Sequence, residues 1–115
     1  MLLRRGAADE AERLVSIAQA EAADDNIAAQ VIWRGVKARL DADPRLAEEA
    51  VGVADLTDDL NLRADALVNL AESLRLADAP GQATDALQRA VALYEQKGNV
   101  VGAARASTIA SEQVR

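Results

Sequence analysis

The sequence predicts an all-α protein built from antiparallel helix hairpins. Half of its 115 residues are hydrophobic, yet Trp33 and Tyr94 are the only aromatic residues, and alanine and leucine supply most of the apolar content. This balance is typical of helices that approach one another closely. Short motifs recur at a spacing of 36 residues, and no segment alternates apolar and polar residues as a half-buried strand would. We therefore expect about six helices in a single domain over residues 1–115.

The 36-residue repeat contains two types of helix. In one type, alanine is followed by an aliphatic residue four positions later and by alanine three positions after that. Its copies are Ala11/Val15/Ala18, Ala47/Val51/Ala54 and Ala83/Leu87/Ala90. The other type has the same spacing in Val31/Gly35/Ala38, Leu67/Ala71/Leu74 and Ala103/Ser107/Ala110. Residues at i, i+4 and i+7 share one face of a helix, so each triplet is predicted to face the core.

Local signals set the boundaries of each helix. The predicted helices cover residues 7–23, 26–40, 44–57, 60–77, 80–97 and 99–114. Asp43 followed by Pro44 predicts an N-cap and a first helical position, and Pro80 repeats this proline 36 residues later. Gly98 followed by Asn99 predicts the end of one helix and the cap of the next. Connections this short make successive helices antiparallel.

These paired helices resemble tetratricopeptide repeats. That repeat has W-x2-L-G-x2-Y in its first helix and A-x3-F in its second, over about 34 residues. The matching motifs here are Leu67-x2-Leu70-Ala71-x2-Leu74 and Ala83-x3-Leu87-x2-Ala90, with leucines in place of the aromatic residues. The resemblance implies a right-handed superhelical stack in which small residues such as Gly35 let the paired helices approach. It divides the chain into a half repeat (1–25), two repeats (26–58 and 59–98) and a terminal helix (99–115).

A narrower resemblance concerns the segments WRGVKARL, LNLRADALVNLAESLRLA and ALYEQKGNVVGAARA. They are similar to the C-terminal repeat arms of large bacterial signalling proteins, which join a nucleotide cyclase or DNA-binding domain to an ATPase domain. The resemblance implies a regulatory arm that binds proteins. The abundance of arginine over lysine and the high alanine content also suggest a bacterial source.

Composition argues against several classes of function. The net charge is −6, which disfavours binding to nucleic acids and to anionic membranes. The chain has no His or Cys, so the common acyl-transfer, thiol and zinc sites lack their usual residues. No apolar run is long enough for a membrane span, and the first residues lack the apolar core of a signal peptide. We expect a cytoplasmic protein without enzymatic activity, cofactor or metal.

Three acidic pairs admit a chemical and a structural interpretation. Glu48–Glu49, Asp24–Asp25 and Asp58–Asp59 could ligate a metal through oxygen or act as catalytic carboxylates. However, Glu48–Glu49 falls in the first turns of a helix, where acidic residues favour the helix dipole. The aspartate pairs fall at turns, where they are natural N-caps. We favour the structural interpretation.

The tetratricopeptide resemblance implies a concave groove lined by the first helices of the hairpins. The groove residues expected here are Ile32, Trp33, Val36, Leu40, Asn69, Glu72, Arg75 and Arg105. Others on the same helix faces are Asp65, Val68, Leu76, Val101, Ala104 and Thr108. Trp33 lies opposite the Val31 stripe, where it could contact a partner or be covered by internal or dimer packing.

The ligand expected in this groove is a protein partner. Some tetratricopeptide repeats hold a C-terminal carboxylate with five Lys, Asn and Arg positions, of which Asn69 and Arg105 match two. Aliphatic residues at Ile32, Val36 and Val101 occupy the others. An apolar or amphipathic helix is therefore the better match.

Two alternatives to partner binding remain open. The register begins and ends on unpaired helices of opposite type, so chains could form a homodimer through these incomplete repeats. The groove could also sense an effector for a separate catalytic domain. The terminal helix could equally fold back as an adequate cap, or the chain could be cut from a longer one.

Overall fold

The computed structural model describes residues 9–10, 12–13 and 26–113, and this part of the chain is helical with no strand. Residues 9–10 and 12–13 are helical, and five helices follow between residues 26 and 113. They are α1 (Ile27–Asp41), α2 (Pro44–Ala54), α3 (Leu60–Leu76), α4 (Pro80–Lys97) and α5 (Val100–Gln113). The all-α prediction is confirmed for these residues. Most of the helix predicted at 7–23, with its triplet Ala11/Val15/Ala18, lies outside the described residues, as does the Asp24–Asp25 pair.

The helix starts follow the predicted caps. The Asp43 carboxylate accepts hydrogen bonds from the backbone N–H groups of Arg45 and Leu46, at 3.1 and 3.4 Å. The Asp59 carboxylate accepts from Leu62 N–H, and the Asn99 amide oxygen accepts from Gly102 N–H. These bonds satisfy N–H groups that have no partner within the helix. Asp59 is thus a cap, as the structural interpretation of the Asp58–Asp59 pair predicted.

Helix α2 ends three residues earlier than the predicted boundary at residue 57. The Leu56 and Thr57 N–H groups donate to the carbonyls of Val53 and Ala54, which are three-residue turns rather than α-helical bonds. The Thr57 hydroxyl also donates to the Ala54 carbonyl, at 2.9 Å. The last carbonyls of α2 are satisfied in this way and the helix stops at Ala54.

The turns after α1 and α3 share one geometry at the 36-residue spacing. Ala42 and Asp78 both adopt positive φ, at 49° and 65°. After each, the next backbone N–H closes the helix end: Asp43 donates to Ala38 and Ala79 donates to Leu74, both at 2.8 Å. The repeat found in the sequence is therefore also a repeat of backbone conformation.

Successive helices pack against one another, and the first helices of two hairpins also meet. Helix α1 packs on α2 and α3, α2 packs on α3, α3 packs on α4, and α4 packs on α5. Helix α5 does not approach α3 as closely as α1 does. Each described helix is too short or too polar to serve as a membrane span.

The predicted triplets of the first four helices lie in the core, together with other buried residues such as Leu70, Ala86 and Tyr94. Every member of Val31/Gly35/Ala38, Ala47/Val51/Ala54, Leu67/Ala71/Leu74 and Ala83/Leu87/Ala90 is buried. Alanine dominates these faces, which lets the helix backbones approach.

The triplet predicted for α5 is wrong at Ser107, whereas Ala103 lies in the core and Ala110 packs against it. Ala103 is buried, but Ser107 is exposed and Ala110 is only half-buried. The buried residues of α5 are instead Gly102, Ala103 and Ala106. The Tyr94 ring of α4 lies against Gly102, where a Cβ would come within 2.8 Å of the ring. The absence of a side chain at Gly102 thus lets α5 approach the Tyr94 ring with its Gly102–Ala106 face.

Candidate functional site

Helices α1, α3 and α5 line a hollow of about 510 Å³, with Tyr94 of α4 contributing to its wall. Its lining residues are Val36, Arg39, Asp65, Val68, Asn69, Glu72, Tyr94, Arg105 and Ile109. A second hollow of about 330 Å³ adjoins it and shares Val36, Arg39 and Glu72 with it. The second hollow adds Leu40, Arg75 and Leu76. We call the two hollows together the α1–α3–α5 groove.

Six of the eight groove residues expected from the sequence line this groove: Val36, Leu40, Asn69, Glu72, Arg75 and Arg105. Ile32 and Trp33 do not line these two hollows. Both precede Val36 by about one helical turn, and Val36 is the first residue of α1 in the lining of the two hollows. The part of the groove that the described residues form lies along the C-terminal half of α1.

Trp33 has local partners on α1. Its Nε1 donates to the side-chain oxygen of Gln30 at 3.4 Å, and the Arg34 guanidinium lies 4.5 Å from the centre of its ring. Arg34 also donates to the Gln30 carbonyl at 3.1 Å. The Arg34–Trp33 contact is a cation–π interaction. Trp33 and Arg34 therefore form one partly buried cluster with Gln30, on a part of α1 separate from the groove.

Arg39, Tyr94 and Ile109 line the groove without having been selected from the sequence. Arg39 follows Val36 by three residues and Ile109 follows Arg105 by four, so helical spacing could have found both. Tyr94 carries no such signal, because it belongs to the other helix type. It joins the groove only because α4 brings it between α3 and α5.

Tyr94 links the core to the wall of the groove. Its side chain is 2 % exposed and its hydroxyl donates to the Asp65 carboxylate. Burial raises the pKa of Tyr94, and the hydrogen bond and negative charge of Asp65 raise it further, while Arg105 acts in the opposite direction. Tyr94 therefore stays protonated at neutral pH and fixes the Asp65 carboxylate at the groove wall.

A second polar contact joins α3 to the start of α5. The Asn99 amide donates to the Asn61 side-chain oxygen at 3.0 Å, while the Asn99 oxygen caps α5. This contact ties the start of α5 to α3, although the two helices do not pack closely, and the Tyr94–Asp65 bond ties α4 to α3. The separation of their backbones leaves room for the groove.

The charged groups of the groove are unequally paired. Arg75 donates to the Glu72 carboxylate at 2.9 Å. Arg39 reaches the Asn69 side-chain oxygen at 3.5 Å. Neither Arg39 nor Arg105 forms an ion pair with a carboxylate within residues 26–113.

Gly35 positions Asn69 in the groove. A Cβ at Gly35 would overlap the Asn69 amide nitrogen and lie 3.1 Å from its Cγ. The closest atoms thus belong to α3, not to the hairpin partner α2 for which the sequence had assigned this glycine. The reason is that α1 packs side by side with α3 as well as on α2.

Replacing Gly35 with alanine is expected to give no stabilisation, whereas Gly52→Ala should raise the free energy of unfolding by about 0.5–1 kcal/mol. Both glycines lie inside helices, but a Cβ at Gly52 meets nothing within 4 Å. At Gly35 the gain in helix propensity is offset by displacement of Asn69. Gly35→Leu should cost about 1–3 kcal/mol through overpacking.

Urea denaturation of the glycine variants measures these differences. An equal stabilisation by Gly35→Ala and Gly52→Ala would contradict the close α1–α3 contact. Unchanged stability of Gly35→Leu would contradict it as well.

Metal-ligand clusters are not found in the described residues, since no three carboxylates there converge on one point. Glu48 and Glu49 are exposed on α2.

No known protein family, curated protein or solved structure matches the chain.

Proposed function

We propose that this chain is a protein-interaction module that binds a peptide or helix of a partner in the α1–α3–α5 groove. The observation that carries the proposal is the groove itself, which α1, α3 and α5 line with apolar and charged side chains. Val36, Val68 and Ile109 offer apolar contact, and the arginines and Asn69 offer hydrogen-bond donors. Such mixed surfaces suit peptide recognition, in which apolar anchors supply affinity and polar groups set orientation.

The length of the groove supports a peptide as its occupant. Its lining on α3 runs from Asp65 to Leu76. At ~1.5 Å per residue this is about 16 Å, or three helical turns. A three-turn helix or an extended segment of about five residues matches that length.

We further propose that the hairpins form a tetratricopeptide-like superhelical stack. The repeated turn geometry at Ala42 and Asp78 and the side-by-side packing of α1 and α3 support it. The similarity to repeat arms of bacterial signalling proteins extends the proposal to a regulatory arm that acts in the cytoplasm of a bacterium.

Selection of random peptides of about 12 residues by phage display tests the proposal. Selected peptides are synthesised and their Kd values measured by fluorescence anisotropy against the wild-type chain and two variants. Val36→Asp places a charge on the groove, and we expect it to weaken binding about tenfold or more, equivalent to about 1.4 kcal/mol. The matched control is Leu56→Asp, at a residue 77 % exposed and outside the groove, which should leave the Kd unchanged.

Circular dichroism verifies that both variants remain folded. Peptides that bind Val36→Asp and the wild type equally would contradict a role for the groove. If light scattering shows that the wild type is a dimer and Val36→Asp is a monomer, while both bind the peptides equally, self-association through the groove would be favoured instead.

A further inference from the structure

One dipeptide occurs twice at the edge of the groove. Arg39–Leu40 stands at the end of α1 and Arg75–Leu76 at the end of α3, 36 residues later. Because α1 and α3 pack side by side, the two pairs meet in the hollow of about 330 Å³, together with Val36 and Glu72. We call this hollow the Arg–Leu pocket.

The Arg–Leu pocket presents an apolar anchor point. Leu76 is 50 % exposed, and Leu40 and Val36 beside it are only partly buried. Removing apolar surface from water is favourable, and part of the surface of these residues is still exposed to water. An aliphatic side chain of a partner, placed between Leu40 and Leu76, would bury this surface.

Arginines outnumber carboxylates in the two hollows of the groove, although the whole chain has a net charge of −6. The lining contains Arg39, Arg75 and Arg105 against Asp65 and Glu72. A third hollow, of about 390 Å³, shares Glu72, Arg75 and Ile109 with them and adds the carboxylate of Glu112, so the positive part of the groove is the part around Arg39 and Arg105. Asp65 is engaged by Tyr94 and Glu72 by Arg75. Arg39 and Arg105 have no carboxylate partner within residues 26–113. Approaching carboxylates would therefore meet donors that can form bidentate, charge-assisted hydrogen bonds.

From this charge complementarity and the apolar anchor we propose that the groove binds an acidic peptide segment. An aliphatic side chain of that segment sits in the Arg–Leu pocket, and its Asp or Glu side chains contact Arg39 and Arg105. This inference rests on the proposed function and adds the chemistry of the partner. A strong polyanion such as RNA is disfavoured, because three arginines stand against the acidic remainder of the surface.

Three designed peptides of about 16 residues test the inference by fluorescence anisotropy. All are acetylated and amidated, so that side chains carry the only carboxylates. One has leucines on one helical face and glutamates beside them, the second replaces the glutamates with lysines, and the third replaces the leucines with alanines. We expect the leucine–glutamate peptide to bind about tenfold or more tightly than either other peptide, and its affinity to fall as salt is raised.

Charge reversal locates the contact. Arg39→Glu is expected to lower the affinity for the leucine–glutamate peptide about tenfold and to raise the affinity for the leucine–lysine peptide. Arg89→Glu reverses a charge on an exposed part of α4 outside the groove and should change neither Kd by more than about twofold. Leu76→Ser should lower the affinity for the leucine–glutamate peptide, whereas Leu56→Ser should leave that affinity unchanged.

The outcomes separate this inference from the proposed function. Equal or tighter binding of the leucine–lysine peptide overturns the acidic partner, as does an Arg39→Glu variant that binds like the wild type. If the leucine–glutamate peptide does not bind, but the basic peptide or display-selected peptides without acidic residues bind in a manner that depends on Val36, the proposed function stands while this inference fails. If no peptide of either charge binds at concentrations up to about 1 mM, both fail.

Discussion

Replacing Leu87 with alanine is expected to lower the free energy of unfolding by about 2–5 kcal/mol. Leu87 lies on α4 in the centre of the triplet Ala83/Leu87/Ala90 and is completely buried. Its neighbours on that face are alanines, whose short side chains cannot extend to fill the cavity that the substitution leaves. At about 4 °C per kcal/mol for a domain of this size, the variant should melt about 8–20 °C lower.

Leu56→Ala is the matched control for this substitution. Leu56 lies in the turn after α2 and is 77 % exposed, so its truncation creates no cavity. We expect a change within about 0.5 kcal/mol. Chemical denaturation of both variants makes the comparison, and a cost at Leu87 no larger than that at Leu56 would contradict the packing of α4 against α3 and α5.

Replacing Tyr94 with alanine should cost about 3–5 kcal/mol, the range for truncating a buried aromatic residue. The Tyr94 ring packs against Gly102 of α5 and its hydroxyl holds Asp65 of α3, so the truncation removes contacts with both helices. Tyr94→Phe keeps the ring and removes only the hydroxyl. Because Asp65 is exposed and water can replace the lost bond, we expect a cost of about 0.5–1.5 kcal/mol.

The pH dependence of stability separates the hydroxyl from the ring. The pKa of Tyr94 is raised in the folded chain by burial and by Asp65, whereas the unfolded chain has the ordinary value of about 10. The folded state therefore retains a proton that the unfolded state loses above pH ~10. The stabilisation is complete below that pH and decreases as the pH rises further.

Urea denaturation at several pH values between about 8 and 11 measures this slope. The wild type should lose more stability above pH ~10 than Tyr94→Phe does, and the other titrating groups cancel in the comparison. Identical slopes for the two proteins would contradict the buried hydrogen bond to Asp65.

Tyr94 also bears on the groove. The Asn99–Asn61 bond ties the start of α5 to α3, and Tyr94 of α4 contacts both helices through its bond to Asp65 and its ring against Gly102, while the backbones of α3 and α5 stay apart. Tyr94 thus occupies part of the space between the helices and leaves the remainder open beside Asn69 and Arg105. On α1, the absence of a Cβ at Gly35 leaves the space that the Asn69 side chain occupies.

Helices, caps and core stripes were predictable from the sequence because each depends on local rules. The caps at Asp43 and Asp59 depend on hydrogen bonds to N–H groups two or three residues away. The buried triplets of α1 to α4 follow from the 3.6-residue period, which places i, i+4 and i+7 on one face. The same period selected six residues that line the groove.

Tertiary structure decided what meets across helices that are distant in the sequence. Tyr94 reaches Asp65, 29 residues earlier, and so enters a groove that the pattern of its own helix does not indicate. The same tyrosine packs against Gly102 of α5, on the face where Gly102 and Ala106 are buried in place of Ser107. By itself the sequence determined the helices and their buried faces, since backbone hydrogen bonds and helical periodicity act within a few residues. Only the packing of α1, α3, α4 and α5 decided that Val36, Asn69, Tyr94 and Arg105 line one hollow, because such a meeting depends on where separate helices lie relative to one another.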